Sequence, residues 1–170
     1  MDMILKKVLG IVLAVLVLVS AAAGFSGCTD SRSASQPAAE TAEENQNGTA
    51  YSYSEVSLSR GGIDLHLDRV AVKDAVPEKN ILLTHGVTYS SHEFDVDYKD
   101  YSLVRFLARE GYAVWRLDIA GFGQSGEVKD GFMPDSDYAA EDINAAVETI
   151  VSESGQEKID LLRLSFSFQL

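Results

Sequence analysis

The rhythm of apolar and polar positions changes repeatedly along this chain. Residues 8–25 form an almost unbroken aliphatic run, and residues 29–50, TDSRSASQPAAETAEENQNGTA, then show no apolar period at all. From Tyr51 the pattern becomes alternating. Tyr51, Tyr53, Val56 and Leu58 place a strand with one slip, Arg60-Gly61-Gly62 turns the chain, and Ile63, Leu65 and Leu67 alternate against Asp64, His66 and Asp68. A period of two on both sides of a glycine turn predicts a hairpin of half-buried strands. Asp64, His66 and Asp68 share one face, which this pattern makes a solvated face and not a metal site.

The next segment, NILLTHGV at 80–87, has the continuous apolar run of a strand buried on both faces of a parallel sheet. It ends in Thr84-His85-Gly86, where glycine permits a sharp turn, and opens a polar loop over 87–99. Asp100 is placed to cap a helix reaching about Glu110, with Leu103, Val104, Phe106 and Leu107 on its buried side and Gly111 as its stop. Residues 112–117 predict a strand. Ser136 or Asp137 caps a second helix to about Ser154, with Ile143, Val147, Ile150 and Val151 at helical spacing and Gly155 ending it. Residues 158–162 read as a third buried strand. Strand, helix, strand, helix, strand predicts an α/β fold with right-handed crossovers in a parallel sheet.

Composition changes the picture mainly at the N-terminus. The 170 residues allow one domain plus extras, and much of the 46% apolar content sits in the leader behind Lys6-Lys7. A basic start, an apolar run and small residues describe a secretory signal. Phe25-Ser26-Gly27-Cys28 resembles the lipobox of bacterial lipoproteins, although Phe25 stands where an aliphatic residue is usual. The implied layout is a signal peptide at 1–27, a flexible tether at 28–50 and a folded domain from 51 to 170. Cys28, the lone cysteine, would carry lipid; no intramolecular disulfide or cysteine-based metal site can form. Removing residues 1–27, which hold Lys6, Lys7 and Asp2, would take the net charge from −12 to −13. Such an acidic body argues against nucleic acid and against electrostatic membrane binding. Membrane attachment would then come from the lipid, on the extracytoplasmic face of the cell envelope.

Candidate chemistry clusters in two places. The loop after the central strand holds Ser90, Ser91, His92, Glu93, Asp95 and Asp97. Catalytic triads draw their members from separated segments, so this cluster is not read as one, and His92 is assigned to loop organisation or to the substrate mouth. The second place follows strand 112–117, where Asp118-Ile119-Ala120-Gly121-Phe122-Gly123-Gln124-Ser125-Gly126 runs on.

Taken together, His85-Gly86 after one strand and Asp118-x-x-Gly121-x-Gly123-x-Ser125 after the next resemble the α/β-hydrolase fold family. The flavour is that of serine esterases, lysophospholipase-like and serine aminopeptidase-like members, over about Tyr51 to Ser165. A dinucleotide-binding sheet would instead place Gly-x-Gly-x-x-Gly after its first strand, and none is there. The resemblance implies a mixed, mostly parallel sheet with an antiparallel N-terminal hairpin, no cofactor and no metal. It implies an oxyanion site from the backbone N–H of Val87 and of Phe166, with Ser165 at the nucleophile position. Asp118, Gly121 and Gly123 are given structural roles in the loop. The family's Gly-x-Ser-x-Gly stands here as Arg163-Leu164-Ser165-Phe166-Ser167, and no acid or histidine follows Ser165 in its five remaining residues. The expectation is the front part of a membrane-anchored serine hydrolase acting on a small acyl or ester substrate. Its pattern is broken near residue 163, after the nucleophile strand, and it is inactive as given. The alternative is a non-catalytic, lipid-anchored envelope binding module.

Overall fold

The alternating segments form the longest antiparallel pair of the sheet. Strands β2 (Ala50–Arg60) and β3 (Ile63–Val72) pair from Tyr51↔Val72 to Arg60↔Ile63. Gly61 and Gly62 join them with φ of 60° and 83°, the doubly positive backbone that suits a two-residue hairpin turn. The structure is a computed structural model, and it describes residues 41–44, 48–96, 98–129 and 135–164. The leader, Cys28, Ser165 and Phe166 lie outside the described residues.

The apolar runs supply the parallel part. Strand β4 (Lys79–Thr84) pairs in parallel with β5 (Tyr112–Leu117) on one side and with β6 (Asp160–Arg163) on the other. β3 joins antiparallel to β5 through Leu67↔Leu117 to Val70↔Val114. With β1 (Thr41–Glu44) the order is β1-β2-β3-β5-β4-β6. The chain leaves β4 for β5 on one flank, then returns past β4 to β6 on the other. This reversal of direction makes the carboxyl end of β4 a topological switch point, where open α/β sheets place ligands.

Among the described residues each face of the sheet carries one α-helix. Helix α1 (Leu103–Arg109) packs with Tyr51, Val70, Ile81, Leu83 and Val114, whereas α2 (Ser136–Ser154) packs with Leu65, Leu67, Leu82, Trp115 and Leu117. Ile81 and Leu83 point one way and Leu82 the other, and all are buried, which explains the unbroken apolar run in β4.

Several expectations need correction. Thr41–Glu44, within the segment read as tether, pairs as a strand with Ala50–Tyr53. Ladder hydrogen bonds are made by the backbone, so its polar composition did not forbid the pairing. Asp68 is not solvated; it is buried and ion-paired with Arg116. Helix α1 is capped by Ser102, whose side chain accepts from Arg105 N–H, and not by Asp100. Its buried stripe is Val104 and Ala108, leaving Leu103 and Phe106 exposed. Asp135, not Ser136 or Asp137, caps α2 through Tyr138 N–H, and Gly155 ends it with φ of 68°. β6 is exposed along its whole length, including Leu161 and Leu162. It is the sheet's edge among the described residues, and the two helices pack mainly on β2 to β5, so neither covers it.

Candidate active site

The turn after β4 is built around a histidine with both ring nitrogens engaged. His85 is fully buried; its Nε2 accepts from Ile119 N–H at 3.0 Å and its Nδ1 lies 2.7 Å from Gly86 O. A backbone amide can only donate, so Nε2 must be the unprotonated nitrogen and Nδ1–H donates to Gly86 O. The neutral ring therefore clamps the end of β4 to the chain leaving β5. Phe122 packs on it with ring centroids 5.2 Å apart.

Asp118 makes the second clamp. Its buried carboxylate accepts from Ser91 N–H at 2.6 Å and from Gln124 N–H at 2.9 Å, joining the loops after β4 and β5. The glycine beside it follows from this contact. Gly123 has φ of 53°, and a Cβ there would fall inside the Asp118 carboxylate. Gly121, with φ of 83°, leaves room for the Val128 side chain. Ser125 Oγ donates to Asp118 O at 2.5 Å and accepts from His66 N–H at 2.8 Å, tying the loop to β3. Gly86 N–H reaches Glu93 Oε1 at 3.3 Å. Val87, half-buried just beyond, has an N–H that meets no backbone acceptor among the described residues.

Two charged assemblies that pattern reading missed hold these loops from outside. Asp142, fully buried in α2, accepts from Ala120 N–H at 3.0 Å and is ion-paired with Arg60. A carboxylate in the stripe Ala139, Ile143, Ala146, Ile150 was the available signal, because that stripe is otherwise apolar. On the opposite face, Arg116 lies between Asp68 and Asp95, and Arg105 between Asp95 and Asp100. Arg109 adds hydrogen bonds to Tyr51 and Asp100. Burial opposes the charge on Arg116, and the hydrogen bonds and charge of Asp68, with Asp95 beyond, outweigh it, so its pKa lies above the usual arginine value. The same contest, won by Asp142, raises Arg60.

The fold thus brings His85, Gly86, Val87, Asp118, Gly121, Gly123 and Ser125 together at the carboxyl ends of β4 and β5. His92 is exposed on a short 3₁₀ turn (Ser91–Phe94) and His66 lies on β3, its Nε2 3.2 Å from Gln124 Nε2. β6 reaches the same end, with Leu164 N–H donating to Thr84 O at 3.1 Å. Ser165 and Phe166, the expected nucleophile and second oxyanion donor, lie outside the described residues.

The family model described as serine aminopeptidase, S33, matches residues 75–166, just over half the chain. No curated protein matches it significantly. Among solved structures the fold is similar to a CIB-like hydrolase from Thermoplasma acidophilum, at 21% identity and a TM-score of 0.50, over 68% of this chain and 52% of that one. It is similar to a mutant epoxide hydrolase from Solanum tuberosum, at 18% identity and a TM-score of 0.51, over 65% and 31% of the two chains. A laboratory-evolved variant of potato epoxide hydrolase gives 18% and 0.52 over the same shares. The chain therefore spans about half the length of the first of these proteins and under a third of the potato enzymes.

Proposed function

The chain belongs to the serine aminopeptidase, S33, family, with an α/β-hydrolase fold, and on that premise we propose that it is part of a membrane-anchored serine hydrolase of small acyl or ester substrates. One observation carries the reading. The turn after β4 is held rigidly by His85 and Asp118 at the switch point, leaving Val87 N–H without a backbone acceptor among the described residues. Acyl transfer needs such fixed donors aimed at the developing oxyanion, each contributing roughly 10²- to 10³-fold in turnover. In this reading Val87 N–H supplies one and Phe166 N–H the other, and Ser165 attacks the carbonyl carbon. Lipid on Cys28, reached through the polar segment after it, holds the enzyme at the membrane.

A base must take the serine proton as it attacks. His85 cannot do so, because one nitrogen accepts from Ile119 and the other donates to Gly86. His66 and His92 both precede Ser165, against the family order of serine, acid and histidine. In this reading none of the three histidines serves as the base, so the 170-residue polypeptide by itself is expected to be inactive. Purified in detergent, it should hydrolyse p-nitrophenyl butyrate no faster than its Ser165→Ala variant. Turnover present in the first and lost in the second overturns the silence and makes Ser165 a working nucleophile. Anchoring has a separate test. Bacterial cells fed a radioactive fatty acid should label the wild type and not Cys28→Ala; equal labelling of both removes the lipid assignment.

A further inference from the structure

A cavity of about 370 Å³ opens at the far end of the sheet from His85 and Asp118. It lies between the last turn of α2 and the amino ends of β4 and β5, where Asn80 and Ala113 are second residues of their strands. The candidate active site is the length of a six-residue strand away, roughly 20 Å. Strand register builds the cavity floor. Ser54 pairs with Arg69 and Arg69 with Trp115, so these three stand in a row across β2, β3 and β5. The row continues the face that α2 covers with Leu65 and Leu67, but it meets only the last turn of that helix.

Arg69 is the unusual member. Arg60, Arg105, Arg109 and Arg116 each face a carboxylate within ion-pair distance. Among the described residues no carboxylate lies that close to Arg69, whose guanidinium stands 5.9 Å from the ring centroid of Trp115. The neighbouring polar groups are already committed to one another. Trp115 Nε1–H donates to Asn80 Oδ1 at 2.7 Å, and Asn80 Nδ2–H donates to Gln156 Oε1 at 3.0 Å. Arg69 thus lines a concave space with no carboxylate at ion-pair distance among the described residues, in a protein of net charge −12.

We propose that this cavity is a binding site for a small organic carboxylate. The carboxylate takes the Arg69 guanidinium, which matches its planar geometry with two parallel hydrogen bonds. The apolar remainder of the ligand lies along Val56 and Pro77, beside the buried Trp115 ring. The charge balance selects a monoanion. Glu153 also lines the cavity, and the carboxyl end of α2 presents partial negative charge, so a dianionic phosphate meets about twice the repulsion that a single carboxylate does. The volume admits a compact acid of modest chain length. This assignment is independent of the acyl-hydrolase reading, because none of its residues belongs to that site.

Trp115 is the chain's only tryptophan, so tryptophan emission reads the one ring that lies beside this cavity. The full chain in detergent is titrated with sodium hexanoate, hexanamide and inorganic phosphate, each to about 10 mM. Hexanoate should give a saturable change in tryptophan emission, and the isosteric neutral amide should not. Arg69→Gln, with unchanged circular dichroism, should weaken hexanoate binding roughly ten- to hundredfold, as expected for a lost charged hydrogen-bond partner. Arg69→Lys should restore part of it. No saturable response, an equal response to hexanamide, or a response that phosphate reproduces overturns the proposal. Should Arg69→Gln fail to fold, the comparison of hexanoate with hexanamide on the wild-type chain still decides.

Discussion

The two faces of the sheet solve the same covering problem with different chemistry. Helix α2 has 19 residues and buries a broad apolar surface over Leu65, Leu67, Leu82, Trp115 and Leu117. Helix α1 has seven residues and covers far less. Beside it the face is held by alternating arginines and aspartates: Asp68, Arg116, Asp95, Arg105, Asp100 and Arg109. Apart from the Asp142–Arg60 pair, packing on the α2 face is apolar and non-directional and tolerates repacking of similar volumes. The ionic chain on the α1 face is directional, since each charge has a named partner, and it fixes the loop after β4 against β3 and β5. The difference explains how a polar loop next to the candidate site is held without a long helix above it.

The comparison predicts its largest effect at Arg116. Arg116→Met leaves the buried Asp68 carboxylate unpaired and should cost about 3–5 kcal/mol in urea unfolding of the full chain. Adding Asp68→Leu should return most of that loss. A double variant as unstable as the single one would mean that the pair is not what holds this face. The apolar face is tested by Leu82→Ala, which empties a fully buried position and should cost about 2–5 kcal/mol. No partner substitution should rescue it except one that refills the volume.

Gly123→Ala probes the clamp between the faces. The new Cβ collides with the Asp118 carboxylate at positive φ, for an expected loss of about 1–3 kcal/mol. Hydrogen exchange should locate the damage, with faster exchange at Ser91 and Gln124 amides and little change in β2. A uniform acceleration across the sheet would refute a local role. The smallest effect is expected at Ser102→Ala, which removes the cap of α1 and should cost about 1 kcal/mol.

The order of strands and helices from residue 51 on, the Gly61-Gly62 hairpin and the loop glycines were legible in the residue pattern, whereas β1 was not. The His85-Gly86 turn was legible too, although its clamp to Ile119 N–H on the chain leaving β5 was not. Less legible was which polar groups face inward. Asp68 sat in an alternating polar register and Asp100 in a plausible capping position, yet both accept from arginines far along the chain or on the next helix. Phe106 looked like core and is half-exposed, because the stripe α1 buries is set by its docking on β3 and β5.

What the sequence determined by itself is therefore local: periodicity, turn chemistry and the motif pair that places the chain in its family. Backbone dihedral preference and side-chain period act over a few residues, and they survive without knowledge of the rest of the chain. Only the tertiary structure decided the burial of Asp142 on Ala120 N–H, the arginine–aspartate chain, the exposure of β6 and the open row at Arg69. Each depends on strand register and helix placement, which bring together groups as far apart in sequence as Asp68 and Arg116 or Arg60 and Asp142, where local preference is silent.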